Sequence, residues 1–137
     1  MAAKAKVDII TRPITAEVLA AFAALRQDKC ETCGGLQTAG EQLHGASVFE
    51  VMIDGASVGY YALRINRYSG GSEGVIVAAV GGADGVDLTA TVLPIIEKHQ
   101  LRDCNAVKIE TARRVLAGKL LAQGYKGHWV MRKTLRA

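Results

Sequence analysis

The stretch from Glu73 to His99 constrains the fold of this chain more than any other. It begins with a continuous apolar run, Val75 to Val80, of β-branched and small residues, which is typical of a strand covered on both faces. The glycine-rich turn GGADGVD follows, and from Leu88 the apolar residues recur at helical spacing, with Asp87 placed to cap the helix. A strand, a glycine turn and a helix N-terminus favour phosphate binding, because free N–H groups and the helix dipole face one point.

Two acidic residues complicate this interpretation of the turn. Asp84 and Asp87 carry negative charge where a phosphate would lie, and like charges repel. The turn therefore indicates the local architecture, while its ligand stays open.

Length and composition predict a single globular domain over residues 1–137, with residues 1–6 expected to be a flexible N-terminus. Half of the 137 residues are hydrophobic and 22% are charged, which is ordinary for a soluble protein. No apolar run approaches the roughly 20 residues of a membrane span, and the sequence MAAKAKVDII lacks a signal-peptide core. We therefore expect a cytoplasmic protein without a membrane partner.

The net charge of +4 is too small to identify a partner. We interpret the basic residues near the C-terminus as a solvated face, and contact with nucleic acid is the less favoured alternative. These residues are Arg113, Arg114, Lys119, Arg132, Lys133 and Arg136.

Three cysteines and no export signal indicate a reducing compartment. Cys30 and Cys33 form a CxxC pair at the end of a predicted helix, and we interpret them as ordinary thiols, with zinc or redox chemistry as the alternative. A structural zinc site needs about four ligands, and only Cys104 and three scattered histidines could complete one, so no metal site is predicted. Cys104 itself is interpreted as a small buried residue.

Hydrophobic periodicity predicts an alternation of strands and helices along the chain. Hairpins are expected at Asp54-Gly55 and at Ser69 to Ser72, and the helix after Val80 should make the flanking strands parallel. The other predicted elements are a strand at Val7–Ile14, a helix capped by Thr15 with Val18, Leu19, Phe22 and Leu25 on one face, a loop at Lys29–Gly45 with a helical turn near Gly40–Leu43, strands at Ser47–Ile53, Ser57–Tyr68, Ala106–Glu110 and Tyr125–Leu135, and a helix at Arg113–Gln123 with Val115, Leu116 and Leu120 inward.

This order of elements resembles the GNAT (GCN5-related N-acetyltransferase) family over roughly Val7 to Leu135. The likeness is carried by the apolar strand into GGADGVD, by the short strand AVKIET and by the closing segment RRVLAGKLLAQGYKGHWVMRKTL. It implies an α+β, three-layer fold with a mixed, mainly antiparallel twisted sheet flanked by helices. It also implies an acyl-CoA-dependent N-acyltransferase that uses acetyl-CoA and an unidentified amine. The closing segment is also similar to small GNAT-like proteins encoded by bacteriophages.

The family's pyrophosphate loop has the pattern Arg or Gln, two variable residues, Gly, a variable residue, then Gly or Ala. Here Gly82 replaces the first residue and Asp87 the last, so only Gly85 matches and the loop is degenerate. Loss of a cation and gain of a carboxylate both oppose pyrophosphate binding. By resemblance, the residues that contact the cofactor are Ala79, Val80, Gly81, Gly82, Gly85, Val86 and Asp87.

Amine acylation in this family needs a base and, for the leaving thiolate, an acid. We take Glu73 and Glu110 as candidate bases and Tyr125 as a further candidate for proton transfer. The family's helix tyrosine falls near Leu120 or Leu121, and neither can donate a proton. Other groups able to move protons are Glu50, Tyr60, Tyr61 and His128, for which structural roles are the favoured interpretation.

Two classes of function follow from the resemblance. One is the N-acyltransferase, which requires the strands at Val75 to Val80 and Ala106 to Glu110 to splay apart and admit pantetheine. The other is a non-catalytic binding or assembly module, for example of a phage virion, where the protein would be virion-associated. Aromatic and Met side chains on the third and last strands also indicate a homodimer, and packing of Trp129 on the neighbouring helix is an equally weighted alternative. These side chains are Tyr60, Tyr61, Tyr68, Trp129 and Met131.

Overall fold

The computed structural model describes residues 5–24, 36–82 and 85–136. Its five strands are β1 (Val7–Arg12), β2 (Ser47–Ile53), β3 (Ala56–Tyr68), β4 (Gly71–Gly81) and β5 (Ala106–Ile109). Its four helices are α1 (Ala16–Ala23), α2 (Ala39–Gln42), α3 (Leu88–His99) and α4 (Arg114–Ala122). Leu25, most of the predicted long loop, Cys30, Cys33 and Asp84 lie outside the described residues.

All five strands form one mixed sheet in the order β1-β2-β3-β4-β5. β1 to β4 are antiparallel neighbours, whereas β4 and β5 are parallel, as the intervening helix predicted. Both predicted hairpins are confirmed. Asp54 and Gly55 have φ of 51° and 82°, which suits a two-residue turn of the primed type, and Tyr68 pairs directly with Gly71.

Helices cover both faces of this sheet, which gives the predicted three layers. On one face Val18 and Phe22 of α1 and Leu43 pack on Val48 and Ala62. On the other face α3 forms a second core with side chains of β2 and β3. The buried residues of this core are Val51, Tyr61, Leu63, Val92, Ile96 and Leu101.

Side-chain caps fix where the helices begin, as the sequence predicted. Thr15 accepts from the Val18 N–H and Asp87 accepts from the Ala90 N–H, so both predicted caps are present. α4 differs in one respect from the prediction, because Val115 is exposed while Leu120 is buried. The reason is that α4 covers only one edge of the molecule, against α3, so its inward face is narrow.

A β-bulge in β4 lies next to the point where the pairing of β4 with β5 ends. Ala78 is opposite Ala62 and Ile76 is opposite Leu63, so Val77 has no partner in β3. β5 pairs with β4 only from Glu73 to Ile76. β5 ends at Ile109, so beyond Ile76 β4 continues along β3 without β5.

The predicted last strand, Tyr125–Leu135, is wrong. Residues 125–136 have no regular secondary structure, and Trp129 and Met131 are 92% and 89% exposed. The alternation of side chains satisfies the strand pattern, but a strand also needs a neighbour to pair with its backbone. In the described part of the chain, no strand pairs with this segment.

Lys6, directly before β1, is hydrogen-bonded to the turn between β2 and β3. Residues 1–4 lie outside the described part, but the Lys6 N–H donates to Asp54 Oδ1 at 2.9 Å, and the Asp54 N–H donates to the Lys6 carbonyl at 2.8 Å. Among the described helices, none is long and apolar enough to cross a membrane.

Candidate functional site

Beyond Ile76, the edge of β4 that faces away from β3 has no strand beside it in the described sheet. The backbone groups along this edge face an opening between β4 and the end of β5. The Gly82 N–H donates to the Val58 carbonyl of β3 at 3.0 Å, and Gly59 lies opposite Gly81. In an antiparallel ladder, the backbone groups of successive residues point to opposite sides. Val80 and Gly82 therefore bond toward β3, whereas Ala79 and Gly81 direct their amide groups toward the opening.

Two glycines let the backbones of β3 and β4 approach at the end of this opening. Gly59 and Gly81 have φ of 152° and 147°. A Cβ on Gly59 would lie 2.1 Å from the Val80 carbonyl oxygen, and one on Gly81 would lie 2.2 Å from that of Val58. No side chain fits at either position without moving backbone.

An apolar cavity of about 230 Å³ extends from the opening across the α3 face of the sheet. We call it the apolar cavity. Its walls come from β3, the free part of β4, α3 and α4. The lining residues are Val51, Val58, Gly59, Tyr60, Tyr61, Ile76, Ala79, Val80, Gly81, Leu88, Thr89, Val92, Leu93, Ile96, Ile109, Arg113, Leu116 and Leu120.

The glycine turn leads from β4 to the N-terminus of α3 beside this cavity. Gly85 has φ of 72°, a conformation that glycine adopts without steric cost. Asp87 Oδ1 accepts from the Ala90 N–H at 3.2 Å and lies 3.3 Å from Lys119 Nζ of α4. The bond from Ala90, and then Lys119, hold the pKa of Asp87 below its usual value. The carboxylate is thus engaged by the helix and by a cation.

A second cavity, of about 390 Å³, lies on the opposite face of the sheet, beside α2. We call it the charged cavity. Ile76 lines both cavities, so they approach each other at the point where β4 and β5 part. The lining residues are Leu36, Gln37, Glu41, Gln42, Arg64, Val75, Ile76, Val77, Lys108, Glu110 and Arg132.

Of the three predicted catalytic residues, Glu110 lines the charged cavity. It directly follows β5, and its Oε1 lies 3.8 Å from Lys108 Nζ. Glu73 lies at the start of β4, opposite Ala106, and Tyr125 lies after α4; neither lines either cavity.

Tyr125 joins the end of α4 to α3. Its hydroxyl donates to Glu97 Oε2 at 2.6 Å. Burial, followed by the bond to Glu97 and its negative charge, raises the pKa of Tyr125. A tyrosine held in this way contributes to helix packing.

The other proton-transfer candidates have structural partners. Glu50 accepts from Arg12 Nε at 2.9 Å and from the Ser57 hydroxyl at 2.6 Å. The bond from Ser57, and then Arg12, lower the pKa of Glu50. Tyr61 stacks on Phe49 with ring centroids 5.1 Å apart.

The remaining two candidates differ in their surroundings. The Tyr60 ring lies 6.5 Å from that of Phe22, and Tyr60 lines the apolar cavity. His128 is exposed in the segment after α4.

Sequence reasoning missed the cations of both cavities. The sequence pattern indicates no site role for Arg64, and it places Arg113 in a solvated basic face. The available signal was the position of Arg64 directly after buried Leu63 on a long strand. A half-buried arginine in such a place usually serves a partner.

The described thiol, Cys104, is not part of a metal site among the described residues. Cys104 is half-buried against the α3 core rather than fully buried. Within residues 5–24, 36–82 and 85–136, no three His, Cys, Asp or Glu side chains are close enough to share a metal ion.

No protein-family model and no curated protein sequence matches this chain. Solved structures of N-acetyltransferases do match it in fold. Glucosamine-6-phosphate N-acetyltransferase from Arabidopsis thaliana has a TM-score of 0.61 at 14% identity, over 96% of this chain and 99% of that chain. The ribosomal-protein-alanine N-acetyltransferase of Brucella melitensis biovar Abortus 2308 has a TM-score of 0.58 at 16% identity, over 96% and 98%.

A third structure is the aminoglycoside N-acetyltransferase AAC(6')-Iy in complex with CoA. Its TM-score is 0.55 at 13% identity, over 100% of this chain and 99% of that chain. Together with the bulge in β4 and the short parallel pairing of β4 with β5, these similarities show that the chain has the α+β fold of GNAT acetyltransferases.

Proposed function

We propose that this protein is an acyl-CoA-dependent N-acyltransferase. The observation that carries the proposal is the opening between β4 and β5, which has a cavity on each face of the sheet and Ile76 common to both. A reaction between two ligands needs them to meet at one point from separate sites. The structural similarity to N-acetyltransferases, one of them in complex with CoA, supports the same reaction class.

The apolar cavity suits the pantetheine arm of an acyl-CoA. Its walls are mainly aliphatic and aromatic, as expected for a slender, largely neutral chain. The outward N–H groups of Ala79 and Gly81 are donors for the amide oxygens of such an arm and for the thioester carbonyl. Val80 lines the same wall.

The degenerate loop is compensated by cations from α4. Gly82 has no side chain, but Arg113 lines the apolar cavity together with Thr89 of α3. Lys119 offsets the charge of Asp87. We assign pyrophosphate binding to the backbone of Gly81, Gly82, Gly85 and Val86, with Asp87 as the helix cap and Arg113 as the charged contact.

Glu110 is the residue we assign as general base. Acyl-CoA supplies a thioester whose carbonyl carbon can be attacked by an amine. Glu110 accepts a proton from that amine, and the amides of the free β4 edge stabilise negative charge on the carbonyl oxygen. Because Leu120 and Leu121 cannot donate a proton, protonation of the leaving sulfur falls to water. Glu73 and Tyr125 take no part in this scheme.

Calorimetric titration with acetyl-CoA tests the proposal most directly. A ligand at 100 times its Kd adds about 2.7 kcal/mol of stability, so thermal unfolding gives a second readout. We expect binding by acetyl-CoA and weaker binding by ADP, which lacks the pantetheine arm. No heat and no thermal shift at millimolar acetyl-CoA would refute the enzyme proposal.

A non-catalytic assembly module is the second candidate function. It is favoured by the exposed apolar side chains after α4, namely Trp129, Val130, Met131 and Leu135. The outer edge of β5 has no strand beside it in the described sheet, and a second copy of this chain could pair its C-terminal segment there. Phage virion assembly would be one setting for such a homodimer.

Light scattering on the purified protein tests this second candidate. We expect a dimer that dissociates in the double variant Trp129→Ser, Met131→Ser. Lys126→Ser in the same segment is the control, because it removes no apolar side chain. A wild-type monomer at all accessible concentrations would exclude self-assembly.

A further inference from the structure

The charged cavity differs from its apolar counterpart in carrying three cations and two carboxylates. The cations are Arg64, Lys108 and Arg132. We propose that this cavity binds the acyl acceptor by an anionic group, so that the acceptor is a small primary amine bearing a carboxylate or a phosphate. The role of acceptor rests on the proposed function, whereas the binding of such a molecule does not.

Arg64 is the residue that carries this inference. Its Nε donates to the neutral Asn66 Oδ1 at 3.2 Å, and no described carboxylate lies within ion-pair distance of its guanidinium. Arg12, on the same sheet, shows the contrast, since its Nε lies 2.9 Å from Glu50. A half-buried guanidinium with only an amide partner retains donors for a bidentate contact with a carboxylate or phosphate.

The carboxylates of the cavity are already engaged by other groups. Glu110 lies 3.8 Å from Lys108. Glu41 closes the capping box of α2, where its Oε1 accepts from the Thr38 N–H at 3.1 Å. Among the described residues of the cavity, the charge that is least compensated is therefore positive, and Arg64 supplies it.

The register of the sheet gives the size of the molecule that fits. Arg64 of β3 is opposite Val75 of β4, and Ile109, just before Glu110, is opposite Ile76. One strand separates Arg64 from β5, so their backbones are about 10 Å apart. Both side chains extend into the cavity, which leaves room for a few bonds between an anion at Arg64 and an amine at Glu110.

Direct binding to the protein without acyl-CoA tests the inference. The probes are two matched pairs, phosphoethanolamine with ethanolamine and β-alanine with propylamine, titrated by NMR. We expect the anionic member of at least one pair to bind at least about tenfold more tightly than its neutral partner. The pair that shows the difference distinguishes phosphate from carboxylate.

Arg64→Gln should abolish that preference, and Arg64→Lys should retain part of it because it keeps the charge but not the planar fork. Arg67→Gln is the matched control, since Arg67 is on the same strand, exposed and outside the cavity. Thermal unfolding of each variant verifies folding. Equal binding within both pairs, no binding of either anionic probe, or an unchanged preference in a folded Arg64 variant would overturn the inference.

Turnover separates this inference from the proposed function. If acetyl-CoA does not bind but the anionic probes do, the acyltransferase proposal fails while the anion site stands. If acetyl-CoA binds and ethanolamine is acylated as fast as phosphoethanolamine, and propylamine as fast as β-alanine, the proposed function stands and the inference fails.

Discussion

The two cavities of this protein lie on opposite faces of one sheet and differ in chemistry. The apolar cavity is walled by α3, α4 and the free part of β4, and among the described residues the one charged side chain in its lining is Arg113. The charged cavity is walled by α2, β4 and β5, and five of its eleven described lining residues are ionisable. They share Ile76, the last residue at which β4 and β5 are paired.

The difference teaches that the end of one strand pairing can carry two unlike sites. Val77 is the extra residue of the bulge in β4, and the pairing of β4 with β5 ends directly before it, at Ile76. Because β5 ends there, the apolar face can receive a long neutral chain while the other face receives a charged molecule. Each site can then be altered without the other, which the following predictions use.

The largest effect is expected from Gly59→Val, which should force β3 and β4 apart at the wall of the apolar cavity. A side chain there meets the Val80 carbonyl oxygen at 2.1 Å with φ of 152°, so we expect at least about 2 kcal/mol of destabilisation by urea unfolding. Gly82→Ala is the control, because nothing lies within 4 Å of its Cβ position. Equal stability of both variants would show that the close approach of β3 and β4 is not needed.

Glu110→Gln tests whether the two cavities have separate roles in catalysis and in acetyl-CoA binding. Loss of the base should lower kcat by about 10² or more, whereas the Kd for acetyl-CoA should not change, because Glu110 lies outside the apolar cavity. Glu73→Gln, on the same pair of strands but outside both cavities, should retain activity. A comparable loss in both variants would reject Glu110 as the base.

Arg113→Gln should weaken acetyl-CoA binding by about tenfold, the value of a lost charge-assisted hydrogen bond. Calorimetry measures the change, and Arg114→Gln is the control, since Arg114 lies outside the cavity lining. Gly82→Arg in the Arg113→Gln background should restore binding, because it returns a cation to the loop. An unaltered Kd in Arg113→Gln would place the pyrophosphate elsewhere.

The smallest effect concerns Asp87. Two variants separate the helix-capping hydrogen bond of its side chain from the effect of its negative charge. Asp87→Ala should lower Tm by a few degrees through loss of the cap, whereas Asp87→Asn keeps an acceptor and should lose less. Both should bind acetyl-CoA as tightly as the native protein or more tightly, since a repelling charge is gone.

The pH dependence of Tm shows whether the negative charge of Asp87 stabilises the fold. The pKa of Asp87 is lowered in the folded state, so its stabilisation is full above the unfolded value, about 3.9, and is lost as pH falls through the folded value. The Tm difference between native protein and Asp87→Asn should therefore shrink in acid. A difference that is constant with pH would mean that the charge does not stabilise the fold.

The sequence by itself determined the local elements whose signals are short-range. Asp87 begins α3 because its side chain reaches the Ala90 N–H three residues later, and Asp54-Gly55 makes a hairpin because both residues adopt positive φ. Alternating and helical apolar spacing then assigned the faces of β2 and α3. These features depend on neighbours along the chain, which the sequence lists directly.

Tertiary structure alone decided which distant residues meet. Arg64 and Glu110 are 46 positions apart and lie in one cavity because β4 separates their strands, and Tyr125 reaches Glu97 because α4 packs on α3. Residues 125–135 carry a strand pattern yet form no strand, because backbone pairing requires a partner that periodicity cannot specify. The chain's own alternation can mark a strand, but only the assembled sheet determines whether an edge is there to pair with it.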